Sequence, residues 1–237
     1  MNKPLIPTDE KAREKITKYK NSVNDSSRIH KSPDMTKYID TPVFNFSFDD
    51  TGIIFLLNGV VAGGDIYQRT NRIIHSKELD IYIRFTPDII NAYNPATTAR
   101  VIIFWDNQGN ITPSASDVLL DVDSTGATAT RTISHKNMNN KERFVFLFDK
   151  LYNFPAYTSN ASQITSINSP HVINNNKWAE SINIKLDSLP PTRFNSTGDS
   201  STDIATGSIH LLVLGDSPVG GNFWYMRFSS RYSFYDS

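Results

Sequence analysis

Beyond residue 40 the chain alternates apolar and polar side chains with a period of two. In residues 44–48, phenylalanines occupy every second position, with Asn45 and Ser47 between them. The same alternation recurs in residues 78–85, 181–187 and 224–234. Because successive side chains of a strand point to opposite faces, this pattern predicts sheets that have one packed face and one solvated face.

Three further segments are apolar on both faces of the predicted strand. They are residues 53–57, 101–105 and 144–148. A strand of this kind lies between two layers of the protein, or its outer face is covered by another chain. Together with residues 207–214, the pattern gives about eight strands separated by turns rich in Gly, Pro, Asn and Asp.

Long connections separate several of these strands, and none of them shows a sustained helical period. The longest are residues 86–98, 113–142 and 155–177, and only residues 114–120 favour a turn of helix. Eight strands with long connections are typical of an all-β fold, an eight-stranded jelly-roll β-sandwich. No internal repeat or boundary divides residues 41–237, so we expect one jelly-roll shell domain preceded by an N-terminal arm, residues 1–40.

The arm differs from the rest of the chain in charge. It has nine Lys and Arg against six Asp and Glu, a net charge of +3, so residues 41–237 sum to −3. Thr8 is placed to cap a helix in which Ile16, Tyr19 and Val23 share one face. The arm is therefore either a solvated terminal helix or a weakly basic segment that contacts a polyanion.

Composition excludes several classes of protein. The net charge of zero argues against a generic nucleic-acid-coating protein. The chain has no cysteine, which excludes disulfides and thiolate metal sites. Neither an N-terminal signal segment nor an apolar run of about 18 residues is present, so we expect no membrane association.

The sequence offers no pattern typical of an enzyme. No histidine pairs with another ligand at metal-site spacing, and no nucleophile elbow, phosphate-binding loop or dinucleotide fingerprint occurs. We therefore expect no catalytic residue, metal or cofactor, and a structural place for His210 on a strand. Asp49 and Asp50 favour a turn, with a calcium site between subunits as the alternative.

Four segments, in chain order, resemble capsid (coat) proteins of circular Rep-encoding single-stranded DNA (CRESS-DNA) viruses, and are circovirus-like. They are QRTNRII (68–74), RVIIFWDNQGNITP (100–113), NNKERFVFLFDKLYNF (139–154) and RYSFYD (231–236). In that family an Arg-led apolar strand ends in aromatic-Asp-x-Gln-x-Asn-Gly with a Pro nearby. The positions that match are Trp105, Asp106, Gln108, Asn110 and Pro113, whereas Ile111 replaces the Gly. Asn71 also stands where the family has Gly, and members usually open with a much denser Arg/Lys arm.

The resemblance implies a coat protein that assembles with copies of itself into an icosahedral shell, T=1 with sixty copies, around circular single-stranded DNA. The expected location is the virion, with assembly in the host cell nucleus as a further expectation; the resemblance does not identify a host receptor. The expected nucleic-acid-binding residues are the basic ones of the arm and three of the body: Lys11, Arg13, Lys15, Lys18, Lys20, Arg28, Lys31, Arg69, Arg72 and Arg100. Because Arg100 heads an apolar strand, its guanidinium must reach the rim, a carboxylate or nucleic acid.

Two alternatives stay open at this point. A coat protein of a small RNA virus or satellite has the same architecture. A carbohydrate-binding or hydrolytic β-sandwich module also has it, and Trp105, Trp178 or Trp224 would then stack on sugars.

Overall fold

The computed structural model of the protein describes residues 36–87, 93–94, 96–122, 128–158, 178–217 and 224–236. The predicted arm helix and the seven arm residues predicted to bind nucleic acid lie outside these ranges. The described residues belong to one compact unit, Thr36–Ser237.

Two antiparallel sheets make up most of the described chain. Sheet I contains β1 (Lys37–Asp40), β2 (Phe44–Ser47), β4 (Ile73–Pro87), β12 (Ala179–Lys185), β13 (Thr192–Phe194), β14 (Ile204–Thr206) and β16 (Trp224–Asp236). Sheet II contains β3 (Ile53–Leu56), β6 (Thr97–Asp106), β10 (Phe144–Phe154) and β15 (Ser208–Gly215). Shorter strands are β5 (Tyr93–Asn94), β7 (Leu119–Val122), β8 (Thr128–Ala129), β9 (His135–Lys136) and β11 (Tyr157–Thr158).

The strand order is that of a jelly roll, with β1 and β2 together occupying the first of eight positions. In sheet I, β1 and β2 pair with β16, β16 with β4, and β4 with β12. In sheet II the order is β3, β15, β6, β10. The first position therefore pairs with the eighth, the second with the seventh, the third with the sixth and the fourth with the fifth. One long antiparallel hairpin wound into two sheets gives this order, which confirms the predicted fold class.

Each of the eight predicted segments overlaps one of these principal strands. The alternating segments lie in sheet I, where Ile81, Ile83 and Phe228 are buried and the residues between them are more exposed. The core between the sheets joins these side chains to Val101, Leu211 and other residues of sheet II. The period of two thus identified both the strands and their inner faces.

A second apolar layer explains the segments that are apolar on both faces. The connection 107–143 folds back over the outer face of sheet II and carries a short helix, α1 (Ala115–Val118). Val118 and Leu119 are fully buried there against the outward-facing side chains of β6 and β15: Ile102, Phe104, Leu212 and Leu214. The outer face is therefore covered by the same chain.

Helix α1 confirms the turn of helix predicted in residues 114–120. Ser114 caps it, because its backbone N–H donates to Asp117 Oδ2 (2.7 Å) and its hydroxyl accepts from the Asp117 N–H (3.3 Å). This reciprocal pair is a capping box, which favours the start of a helix at Ala115.

The boundary predicted between arm and body lies too late in the chain. Strand β1 is hydrogen-bonded to β16 along Lys37–Asp40, with Lys37 opposite Phe234. Lys37 is also buried and pairs with Asp236 at 2.7 Å. The β-sandwich therefore includes residues from Lys37 onward, four residues before the predicted boundary.

Candidate functional site

Three connections are interlocked at one end of the sandwich. They are residues 57–72, 107–143 and 186–207. The Ala62 N–H donates to the Thr197 carbonyl (2.9 Å), and the Asn110 N–H donates to the Ile204 carbonyl (2.7 Å). A Cβ at Gly109 would lie 2.0 Å from that Ile204 carbonyl oxygen, so the close approach requires glycine. These hydrogen bonds fix the three connections relative to one another. We call the surface that they form the loop end.

Arg69 holds two of these connections together from inside. It is only 2% exposed, and its guanidinium lies 3.9 Å from the centre of the Phe194 ring. It donates to four backbone carbonyls, those of Val60 (2.8 Å), Asn71 (3.1 Å), Gly198 (3.4 Å) and Ser196. Burial lowers the pKa of Arg69. Arg69 is therefore a structural residue, which corrects the expectation that it faces nucleic acid.

Arg100 is engaged in a similar way by the covering connection. Its Nε and Nη2 atoms donate to the two carboxylate oxygens of Asp149, at 2.7 and 2.8 Å. Its Nη1 atom donates to the carbonyls of Thr132 (3.0 Å) and Ser134 (2.6 Å). The sequence allowed three partners for Arg100: the rim, a carboxylate or nucleic acid. Arg100 contacts a carboxylate, that of Asp149, and joins β10 to the covering connection 107–143 instead of facing nucleic acid as expected.

Asp106, which follows Trp105 at the end of β6, is also held by contacts within the fold. Asp106 is fully buried and accepts from Arg143 Nε (2.9 Å) and Nη2 (2.7 Å). The hydrogen bonds to Asp106 raise the pKa of Arg143. Asp106 Oδ1 also accepts from the Gln108 N–H (2.9 Å), which shapes the turn that follows the strand. Asn110 then takes a positive φ of 71°, a conformation that Asn tolerates better than most residues.

The four segments that carry the family resemblance are therefore joined in pairs by polar side chains. Arg100 and Asp106 of one segment bind Asp149 and Arg143 of another. Thr70 donates through its N–H (3.0 Å) and its hydroxyl (2.7 Å) to Asp236 Oδ2 in the last segment. The residues that match the family thus contribute to holding the fold together.

Two further sequence predictions concern Arg72 as a contact to nucleic acid and Asp49 as part of a turn or a calcium site. Arg72, next to the loop end, is exposed, and its contact with nucleic acid stays a prediction. Asp49 forms a turn, as expected, by accepting from the Thr51 N–H at 3.0 Å. Within the described ranges no three Asp, Glu or His side chains are grouped so that they would hold a metal ion.

His210 lies in the interior of the covering layer. It is fully buried, its Nε2 atom is 2.9 Å from the Ser208 hydroxyl, and its ring stacks on Phe104 with centroids 5.4 Å apart. Burial, with a smaller contribution from the charge of Arg143, lowers its pKa to about 4. His210 is thus a neutral core residue at pH 7.

The three tryptophans, on which the carbohydrate alternative depended, pack into the core. Trp105 and Trp224 are 3% and 1% exposed. Trp178 is partly buried edge-on against Trp224, at 5.0 Å between ring centroids. Neither buried indole presents a face on which a sugar would stack.

Several large apolar side chains are exposed to solvent, which the sequence did not predict. On the loop end and beside it they are Val61 (39% exposed), Ile66 (54%), Tyr67 (53%) and Ile111 (63%). The covering connection adds Ile133 (71%) and Met138 (69%). Isolated apolar residues within polar loops give no periodic signal, so only the structure reveals that a fixed backbone presents them to solvent.

Comparisons with known proteins add little to this geometry. No helix in the described part of the chain is long and apolar enough to cross a membrane. No protein-family model matches the sequence, and no curated protein matches it. Among solved structures, a chain from Desmodium yellow mottle tymovirus is similar with 11% sequence identity and a TM-score of 0.31, over 85% of this chain and 88% of that chain. The jelly-roll assignment therefore stands on the strand order of this chain itself.

Proposed function

We propose that this protein is a viral coat protein whose copies assemble into a closed icosahedral shell around a nucleic-acid genome. The observation that carries the proposal is the interlocked loop end, which presents Ile66 and Ile111 at 54% and 63% exposure on a hydrogen-bonded framework. Fixed apolar side chains on long inter-strand loops are suited to repeated contacts between identical subunits.

The resemblance to CRESS-DNA virus capsid proteins supports the finer form of this proposal. Its four segments meet in the fold as mutual partners, as expected if they were selected together to stabilise one architecture. We accordingly propose a T=1 shell of sixty copies, circular single-stranded DNA as the packaged genome, and the virion as the location. The basic residues of the arm and Arg72 are the proposed contacts to that genome.

Size-exclusion chromatography and negative-stain microscopy of the purified full chain test the proposal. We expect closed particles, and nuclease digestion of their contents distinguishes DNA from the RNA of a small RNA virus. A double substitution, Ile66→Asp with Ile111→Asp, should give folded chains that no longer assemble, because charged side chains at these positions resist burial between subunits.

The matched control is Glu142→Gln, since the Glu142 side chain is 92% exposed but already polar. This variant should assemble as the unmodified chain does. A full chain that remains monomeric at high concentration, and binds glycans in that form, would contradict the coat-protein proposal and favour the carbohydrate-binding module.

A further inference from the structure

The outer face of sheet I carries two arginines directly opposite each other. Arg84 on β4 is in register with Arg227 on β16. Their chain neighbours Ile83, Phe85 and Phe228 are buried in the core, so both arginines point outward. Like charges at facing positions of an antiparallel pair, about 5 Å apart between Cβ atoms, are destabilising. Such a pair therefore suggests that an anion lies over it.

Two tyrosines flank this pair on the same face. Tyr82 is 52% exposed and lies two residues before Arg84 on β4. Tyr225 lies two residues before Arg227 on β16 and is partly exposed. We call these four residues the Arg-Tyr face: Tyr82, Arg84, Tyr225 and Arg227.

No carboxylate neutralises the Arg-Tyr face within the described part of the chain. The residues in register with its four members, apart from each other, are all uncharged: Asn45, Ser47, Thr86, Ala179, Ser181 and Ser229. Among the described residues neither arginine forms an ion pair, and Arg227 Nε has only a 3.3 Å contact with Asn45 Oδ1.

Arg231, the next arginine along the same face, is neutralised by a carboxylate. Arg231 donates to both carboxylate oxygens of Asp40 at 2.7 Å and is also in register with Asp80. Arg84 and Arg227 thus differ from Arg231 in having no carboxylate opposite them on a neighbouring strand. Arg231 provides a matched control on the same strand.

We propose that the Arg-Tyr face binds single-stranded nucleic acid, with the two guanidinium groups on its phosphates and the Tyr82 ring stacked on a base. Guanidinium groups match phosphate oxygens in a bidentate geometry, and aromatic side chains on a flat sheet stack unpaired bases without reading their sequence. A duplex would contact the two arginines through its phosphates. Its bases stay stacked inside the helix, so they would not stack on Tyr82. The proposal deepens the coat-protein function and rests on it for the presence of a genome.

Anisotropy of labelled oligo-dT and oligo-U, titrated with the unassembled full chain over a range of salt, tests the proposal. The double variant Arg84→Gln with Arg227→Gln should lower the slope of log K against log[salt] by about 1.4, since each phosphate contact to a single strand contributes about 0.7. At 0.1 M salt this corresponds to an affinity about 25-fold weaker. Tyr82→Ser should weaken binding about tenfold and leave the salt slope unchanged.

Three controls make the result specific. Arg231→Gln should bind as the unmodified chain does, and the Arg84→Gln, Arg227→Gln variant should have an unfolding midpoint equal to or above that of the unmodified chain, because it removes a like-charge pair. Duplex DNA should bind more weakly than oligo-dT and should not respond to Tyr82→Ser. Polyglutamate should not displace the oligonucleotide as well as unlabelled oligo-dT does.

The proposal is overturned if the double variant keeps both affinity and slope, or if polyglutamate competes as well as oligo-dT, which would assign the face to an acidic protein. Negative-stain images of the full chain concentrated under the conditions of the assembly test, and not of the unassembled sample used for titration, separate the two proposals. Particles with an unaffected salt slope would leave the coat-protein function standing without this site, whereas absence of particles would contradict the coat-protein function.

Discussion

At the scale of single residues, the basic side chains differ most in whether they are paired inside the fold. The Arg100 side chain is 11% exposed and donates four hydrogen bonds, two to Asp149 and two to carbonyls of the covering connection. The Lys141 side chain, in contrast, is 62% exposed and lies 4.0 Å from Glu142. Arg100→Ala should therefore lower the free energy of unfolding by about 3 kcal/mol, because it leaves two carbonyls unpaired and leaves the Asp149 carboxylate with only the Lys136 ammonium group, at 3.9 Å. Chemical denaturation of the purified variant measures this loss.

Lys141→Ala is the control for that measurement and should change the unfolding free energy by less than about 1 kcal/mol. Equal effects of the two substitutions would show that the Arg100 clamp does not stabilise the fold. Arg100→Lys should recover only part of the loss, since an ammonium group cannot bind both Asp149 oxygens in the plane of a guanidinium.

His210 predicts a specific pH dependence of stability. Its pKa in the folded chain is lowered to about 4 by burial, below the value of about 6.5 in an unfolded chain. Between these pH values the unfolded chain binds the additional proton, so stability is full above pH 6.5 and decreases as the pH falls toward 4. The decrease from this one group is about 3 kcal/mol, and His210→Gln should remove it while keeping a partner for Ser208.

Thermal unfolding measured at several pH values between 4 and 7 checks this prediction. The difference in unfolding midpoint between the unmodified chain and His210→Gln should change steadily across that range. A constant difference would mean that His210 is hydrated and titrates normally in the folded protein.

At the scale of elements, the covering connection is what allows sheet II to be apolar on both faces. Leu119, at the start of β7, is fully buried against the outward-facing side chains of sheet II. Leu119→Ala should cost about 2–5 kcal/mol through the cavity it leaves. Ile133→Ala on the same connection should cost less than about 0.5 kcal/mol, because Ile133 is 71% exposed. Denaturant midpoints of the two variants provide the test, and similar losses would show that the cover is not packed as described.

The strands were predictable from sequence because their signal is local. Alternation along residues 78–85 depends only on neighbouring positions, and it placed Ile81 and Ile83 on the inner face correctly. The identity of the layer over sheet II was not predictable, since β6 contacts a segment more than ten residues away in the chain. The start of β1 was missed because Lys37 looks like an arm residue until its partner Asp236 is known.

The same contrast of local and distant information applies to the candidate site. The sequence identified Arg69 and Arg100 as unusual positive charges beside apolar strands. Two of the carbonyls that bind Arg69, and all the partners given for Arg100, come from residues 32–129 positions away. Arg84 and Arg227 were overlooked for the converse reason. Each is an ordinary outward residue on its own strand, and only the register of β4 with β16 brings them together.

At the scale of the whole molecule, ion pairs between charged side chains join several strands of the described body. Ion pairs join β1 to β16, the cover to β10, and the end of β6 to the start of β10. Among the described residues of the body, the basic side chains without a carboxylate partner include Arg72, Arg84, Arg193 and Arg227. Under the proposed coat-protein function, these side chains and the weakly basic arm are the groups that would neutralise a genome.

The position of the true arm boundary gives a prediction about truncated chains. Removing residues 1–35 leaves β1 intact, whereas removing residues 1–40 deletes β1 and with it Lys37, whose ammonium group is 2.7 Å from the buried Asp236 carboxylate. Lys37 and its surroundings help to keep the pKa of Asp236 below its usual range although burial opposes this. The shorter truncation should fold and assemble as the full chain does, because the apolar strands and the exposed loop residues all remain.

The longer truncation should lose about 3–5 kcal/mol of unfolding free energy, because it removes the cation paired with the partly buried Asp236 carboxylate, which keeps only Thr70, and exposes the edge of β16. Lys37→Met in the full chain separates the two causes, since it removes the ion pair but keeps the strand. Denaturation curves and negative-stain images of all three chains make the comparison. Two truncations of equal stability would show that β1 is not part of the sandwich, and monomers from the shorter truncation would assign the arm a part in shell assembly.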